Sequence, residues 1–330
     1  MSAALGIAIS VALLLWALRG VSISEVLQHI RSAHAGPLGL AVAIATLTFP
    51  LRLVRWRLLL RDERGKSYPA MALWHAIALG FTANNVLPLR AGEVIRSYAA
   101  ARLTPARFST VLSSVAVERI FDGLTVVALL TLALLSPDLP SHLSIGGHSV
   151  ANLARAGAAA GLAGLLVAVL VVAAPLTAER LIRRLLPFPR LAGALVKLIE
   201  GVRLGLFVLR VPLRLLGVIF WSLVLWLVNA LAFYVGFAAF DIPVSYLGAL
   251  LLQGLLVLGV SLPSTPGFFG PFEAVIVAVL ALYGIPKDLA FSYAIAFHIT
   301  SFVPITLLGL WSLARNPGAF SIGRRAEAPR

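Results

Sequence analysis

The chain has 330 residues, 60% hydrophobic and 12% charged, with a mean hydropathy of +0.97. A soluble domain carries about twice that share of charge, so a soluble fold is excluded. Solid apolar runs exclude a β-barrel, whose strands alternate in polarity. The absence of Cys removes disulfides, thiolate chemistry and Cys-ligated metal. A net charge of +14 and a pI near 11.3 come from basic loops between apolar runs, not from a basic soluble module. That argues against a nucleic-acid partner and for loops that orient the chain and meet anionic headgroups.

The pattern predicts an all-α polytopic membrane protein: one integral membrane domain over residues 1–315 and a cytoplasmic tail at 316–330. Crossings are expected at 2–18, 37–58, 110–135, 151–174, 215–240 and 290–314, runs long enough to span about 30 Å of hydrocarbon as helices. The first run lacks a basic leader and a small-residue cleavage site, so it reads as an uncleaved span. Two more apolar stretches, 70–87 and 247–283, are interrupted by Pro and Gly, and the flanking charge decides their topology. Arg52, Arg55, Arg57, Arg61, Arg64 and Lys66 precede the first; Arg90, Arg96, Arg102 and Arg107 follow it. Both flanks are therefore cytoplasmic, and residues 70–103 form a re-entrant hairpin.

Residues 136–150 contain no Lys or Arg and belong outside. Residues 175–214 mix eight basic residues with Leu, Ile, Val and Phe, as amphipathic helices in the cytoplasmic interface do; a solvated linker is the competing reading. Asp241 and the Lys287/Asp288 pair flank 247–283 without basic excess, making it a second hairpin inserted from outside. This arrangement of six crossings, two oppositely inserted broken helices and cytoplasmic termini puts 22 of the 27 Lys and Arg residues inside.

Three stretches carry the chemistry. In NNVLPLRAGEVIR, residues 84–96, Asn84, Asn85 and Pro88 mark a helix end, and Gly92 permits close backbone approach. The restarted helix would offer free N–H groups to a phosphate, gripped by Arg90 and Arg96. Glu93 would orient an arginine or take part in proton coupling, unless it only pairs with Arg96 one turn on. Glu118, Arg119 and Asp122 lie inside an apolar span, where each charge costs about 2.5–3.5 kcal/mol, so they should face a polar interior and be paired. Substrate binding and a purely structural salt-bridge cluster are both open readings. In PSTPGFFGPFE, residues 263–273, three prolines and two glycines forbid a continuous helix. Unwinding there would expose Ser264, Thr265, Gly267 and Gly270 to a cavity, with Glu273 in the first turn of the resumed helix; an external loop is the alternative.

Arg52 and Arg55 sit at the end of the second span, where snorkelling to headgroups explains them, and they rank as entry residues only. His75 and His298 are expected to be hydrogen-bonded interior residues. No HExxH, GxSxG, P-loop or nucleotide-binding GxGxxG is present, so a non-enzymatic protein without cofactor or metal is expected. The buried ions and the two broken helices are expected to meet in one wet pocket.

Three patterns together, N-x-L-P-L-R-x-G-E-x-x-R at 85–96, E-R-x-x-D at 118–122 and P-G-x-x-G-x-x-E at 266–273, resemble the transmembrane region of lysylphosphatidylglycerol synthases and the related flippase-like membrane protein family. Phe268 replaces the second glycine of the family's P-G-G-x-G form. The resemblance implies binding and movement, between leaflets of the inner membrane, of an anionic phospholipid or a polyprenyl or hopanoid-type lipid. The alternative is a scaffold that presents such a lipid to a separate lipid-modifying enzyme. The soluble aminoacyl-transferase domain of the full synthases has no counterpart, so lysyl transfer is not expected.

Overall fold

A computed structural model describes residues 3–62, 64–87, 91–137, 139, 144–145, 148–173, 180, 184, 211–261 and 265–316. In chain order the helices are α1 (Ala3–Leu18), α2 (Ile23–Ser32), α3 (Ala35–Leu59), α4 (Ala70–Val86), α5 (Gly92–Leu103), α6 (Phe108–Leu134), α7 (Val150–Ala173), α8 (Pro212–Ala238) and α9 (Tyr246–Gly259). A 3-10 turn at Pro266–Phe268 leads to α10 (Pro271–Leu282) and α11 (Lys287–Arg315). One minimal antiparallel pair, Ser144–Ile145 with His148–Ser149, precedes α7.

This is an α-helical, multi-pass membrane protein. Helices α3, α8 and α11 are each long and apolar enough to cross a bilayer. Helix α6 has 27 residues but holds Glu118, Arg119 and Asp122 near its middle. Large apolar side chains such as Leu15, Leu40, Leu213, Leu216 and Leu307 are exposed around the bundle, as a surface solvated by lipid requires.

Two features lie outside the sequence reading. Helix α1 ends at Gly20, which has a positive φ of 76°, and the chain turns by 82° into the amphipathic α2. The turn is tied to the start of α11: Asp288 Oδ1 accepts from the Ser22 N–H at 2.6 Å, and Lys287 Nζ donates to the Trp16 and Arg19 carbonyls at 3.0 and 2.6 Å. Of the interfacial segment expected at 175–214, only Arg180, Arg184 and residues 211–214, where α8 begins, are described, and the tail beyond 316 falls outside the described residues.

The apolar core has two lobes. The larger joins the C-terminal half of α6 to α8, α9, α10 and the first half of α11; the smaller joins the end of α3 to α4, α5 and the start of α6. Each hairpin sits in one lobe. Helices α4 and α5 pack at backbone distance: a Cβ on Gly92 would strike the Gly80 carbonyl and the Asn84 side chain. Asn84 Oδ1 accepts from the Gly92 N–H at 2.8 Å, so a side chain of α4 satisfies a backbone donor at the start of α5. Helix α11 crosses α4 equally closely, since a Cβ on Gly309 would overlap Thr82.

Candidate functional site

Four helices converge on the carboxylates of α6. Glu118 and Asp122, one turn apart, point into the smaller lobe and are almost fully buried. Arg96 of α5 meets Glu118 fork to fork, Nη1 to Oε1 at 3.0 Å and Nη2 to Oε2 at 2.9 Å. Its guanidinium lies 3.8 Å from the centre of the Trp56 ring, whose Nε1 donates to Ser114 Oγ at 3.0 Å. Arg55 of α3 bridges the acids: Nη1 pairs with Asp122 Oδ1, and Nη2 lies 3.2 Å from Glu118 Oε1. Arg119 reaches back to Glu118 Oε1 at 2.8 Å and Asp122 Oδ2 at 3.1 Å, with 42% of its side chain exposed. Helix α8 adds Trp226, whose Nε1 donates to Asp122 Oδ1 at 2.9 Å, and Ser222, which accepts from Arg55 at 3.0 Å.

Arg52 is placed differently. One turn before Arg55 on the same face of α3, it is buried at 7% exposure, between the rings of Phe81 at 5.0 Å and Trp226 at 6.0 Å. Its Nε and Nη1 have no hydrogen-bond acceptor among the described residues. Burying a charged donor without an acceptor costs more than leaving it wet, and the ring faces offset only part of that. The cluster therefore holds four guanidiniums against two carboxylates, with half-buried Glu93 near enough to Arg119 to add one more negative charge. The remaining positive charge, in a medium of low dielectric, favours an anion beside Arg52 and the exposed part of Arg119.

Three sequence expectations need correction. Arg52 and Arg55 do not snorkel to headgroups: both turn inward, and Arg55 is fully buried. Their spacing with Phe49, Trp56 and Leu59 is that of one helical face, a signal available in the sequence. Glu93 is not the partner of Arg96, whose fork is used by Glu118. The single pocket is instead two separate polar networks, because Glu273 lies away from Glu118 with its own partner: His298 Nδ1 is 2.6 Å from Glu273 Oε1.

The second network holds the other hairpin residues. Glu273 Oε2 accepts from the Gly270 N–H at 2.7 Å, His298 Nε2 lies 2.9 Å from the Gly267 carbonyl, and Thr265 N–H donates to Ser10 Oγ at 2.8 Å. Gly267 and Gly270 have positive φ of 70° and 98°, and a Cβ on Gly270 would strike the Ser10 carbonyl, so both glycines are required here. Asn85 Nδ2 donates to Thr306 Oγ1 of α11 at 2.9 Å, so the first hairpin leans on the helix that holds His298. His75 is hydrogen-bonded to Ser312 at 3.0 Å. Arg90 and Ser264 lie outside the described residues. Trp226, Ser222 and Thr306 were missed because a single Trp, Ser or Thr in an apolar helix carries no signal of what it faces. An apolar cavity of about 800 Å³ lies away from both networks, lined by Pro37, Leu40, Tyr234, Phe237 and Pro243 among others.

Fold and site together define an integral membrane protein with a buried, arginine-rich ionic centre among α3, α5, α6 and α8. Residues 3–309 match the family described as the lysylphosphatidylglycerol synthase TM region, and the chain belongs to that family. It is 26% identical over 322 residues to a UPF0104 membrane protein of Methanothermobacter thermautotrophicus, covering 93% of this chain and 90% of that one. It is also 36% identical over 106 residues to Glycosyltransferase AglD of Haloferax volcanii, a match spanning 32% of this chain and 17% of that enzyme.

Proposed function

We propose that the chain is a non-enzymatic lipid flippase of the cytoplasmic membrane, taking an anionic phospholipid or lipid-linked precursor by its headgroup and passing it between leaflets. The observation that carries this reading is the net positive charge of the buried cluster, and within it Arg52, whose Nε and Nη1 have no acceptor among the described residues. A phosphate supplies what Arg52 lacks, while acyl or prenyl chains remain among the lipid-exposed apolar side chains. Arg55, Arg96, Glu118 and Asp122 fix the centre, Arg119 and Arg90 face the headgroup, and Asn84, Asn85 and Glu93 shape the first hairpin's share of the path. Ser264, Thr265, Gly267, Gly270 and Glu273 form the part of the second hairpin that moves. Six crossings, two oppositely inserted hairpins and cytoplasmic termini complete the proposal.

The test is a leaflet-accessibility assay in proteoliposomes with headgroup-labelled phosphatidylglycerol. Wild type should raise the rate of lipid movement, and Arg52→Gln should return it to that of protein-free vesicles. A second reading draws on the partial likeness to a protein named as a glycosyltransferase: a scaffold that presents a lipid to a partner enzyme. Wild type that retains phosphatidylglycerol through purification yet never moves it would establish the scaffold and end the flippase reading.

A further inference from the structure

The second network shares no residue with the arginine centre, and its geometry fixes a proton count. The Gly267 carbonyl can only accept, so His298 Nε2, 2.9 Å away, carries a hydrogen. The 2.6 Å separation of His298 Nδ1 from Glu273 Oε1 needs a hydrogen as well, from an imidazolium or from a protonated carboxyl. Either distribution holds the same number of protons. Remove one, and a lone pair of Nδ1 faces the carboxylate or a lone pair of Nε2 faces the carbonyl. One of the two bonds from His298 is then lost.

Those bonds hold an unfavourable piece of backbone. Gly267, Phe268 and Gly270 all have positive φ, and for Phe268, at 64°, this is a conformation that a side chain with a Cβ adopts only under restraint. His298 restrains the segment at Gly267, and Glu273 restrains it at Gly270. The rings of Phe272, Phe269 and Phe302 surround the imidazole, with Phe272 stacked at 4.1 Å between centroids, so water is a poor substitute for a lost bond.

Among the helices packed on α11, α2 carries Glu25, His29 and Arg31, α3 carries Arg52, Arg55 and Arg57, and α8 carries Arg214; the other elements around the pair carry few charges. The neighbouring helix α1 holds no titratable side chain, α4 holds only His75, bonded to Ser312, and α9 holds only Tyr246, bonded to the Leu227 carbonyl. On α10 Glu273 is alone. On α11 Lys287, Asp288 and Arg315 lie at the helix ends, and Tyr293 donates to the Phe233 carbonyl. Between His298 and Thr306, the anchor of the first hairpin, lies Pro304, which leaves the Thr300 carbonyl without its helical donor and weakens α11 at that point.

We infer that the Glu273–His298 pair is a proton-binding latch: with its full proton complement it clamps the unwound turn of the second hairpin to α11, and release of one proton as pH rises frees that turn. The chain then exchanges a proton each time the hairpin opens, which supplies a means of coupling movement to a proton gradient. This inference is independent of the anion reading.

The experiment is hydrogen–deuterium exchange of the full chain in nanodiscs over a pH series, corrected for intrinsic exchange. Protection of peptides covering 265–273 should fall by about tenfold as the pair loses its proton, the effect of about one hydrogen bond. It should be flat with pH in His298→Gln and Glu273→Gln. Wild-type protection that does not change with pH, or a slope that survives in both variants, overturns the latch. Should neither variant assemble, the ring nitrogens of His298 are read in wild type labelled with 13C-carbonyl Phe and uniformly 13C,15N-labelled His, because Phe297–His298 is the only Phe-His pair in the chain and the step from its carbonyl selects this residue before its own carbons relay to the ring. A His298 ring spectrum constant across the pH series overturns the proposal equally.

Discussion

The two polar networks solve the same problem, charge inside a membrane, in opposite ways. Around Glu118 and Asp122 the ions are many and multiply bonded, so the loss of one bond leaves the rest in place, and arginine keeps its charge at any physiological pH. Around Glu273 the partners are the Gly270 N–H and one ionisable group, His298, and the arrangement depends on where a proton sits. The first is built to stay charged and, through Arg52, to ask for an anion. The second is built to change state. The proposed flippase would need both: a site whose affinity for charge is constant and a hinge whose restraint is not.

The sharpest way to break this contrast is to remove the acid that three arginines share. Glu118→Ala leaves buried Arg96 without a counter-ion and strips Arg55 and Arg119 of one of their two carboxylates, keeping only Asp122 for both, and should cost about 3–5 kcal/mol. Thermal unfolding in detergent, together with membrane yield, reads this directly; near-native stability would mean that the centre is not multiply braced. Next in size is Gly92→Ala, which forces a Cβ against the Gly80 carbonyl and should cost about 1–3 kcal/mol by overpacking. Because the chain lacks Cys, engineered cysteine pairs across α4 and α5 give a clean crosslinking readout, and their efficiency should drop in this variant.

Arg55→Lys tests the geometry of the bridge rather than its charge. A lysine cannot hold Glu118, Asp122 and Ser222 through two spaced nitrogens, and a loss of about 1–2 kcal/mol in unfolding stability is expected. Arg52→Gln should change stability least, by less than about 1 kcal/mol in either direction, because the donors it removes have no acceptor to lose. It should nevertheless abolish retention of phosphatidylglycerol. A large stability loss there, with lipid retention intact, would make Arg52 a structural residue and shift the anion site elsewhere.

Much of this was legible in the sequence. The helical segments followed from apolar run length, and both breaks followed from Pro and Gly density at 88–92 and 263–271. Pairing of Glu118 and Asp122 with arginines followed from the cost of a lone charge in hydrocarbon. The sharp turn between α1 and α2 was not legible, because a short amphipathic stretch such as ISEVLQHIRS has no signal that fixes its angle to what precedes it.

By itself, then, the sequence determined a membrane-embedded helical bundle, two interrupted helices and a set of ions that had to find partners, since the penalty for unsatisfied groups in lipid is local and large. Only the tertiary structure decided who the partners are: Arg96 with Glu118 rather than Glu93, Arg55 with both acids, Glu273 with His298, and Arg52 between two aromatic rings with its Nε and Nη1 lacking an acceptor among the described residues. The reason is geometric. Run length and composition say that a charge is buried, but which neighbour it meets depends on the rotation and crossing of helices far apart in the chain, set by close backbone approaches such as Gly80 to Gly92 and Gly309 to Thr82.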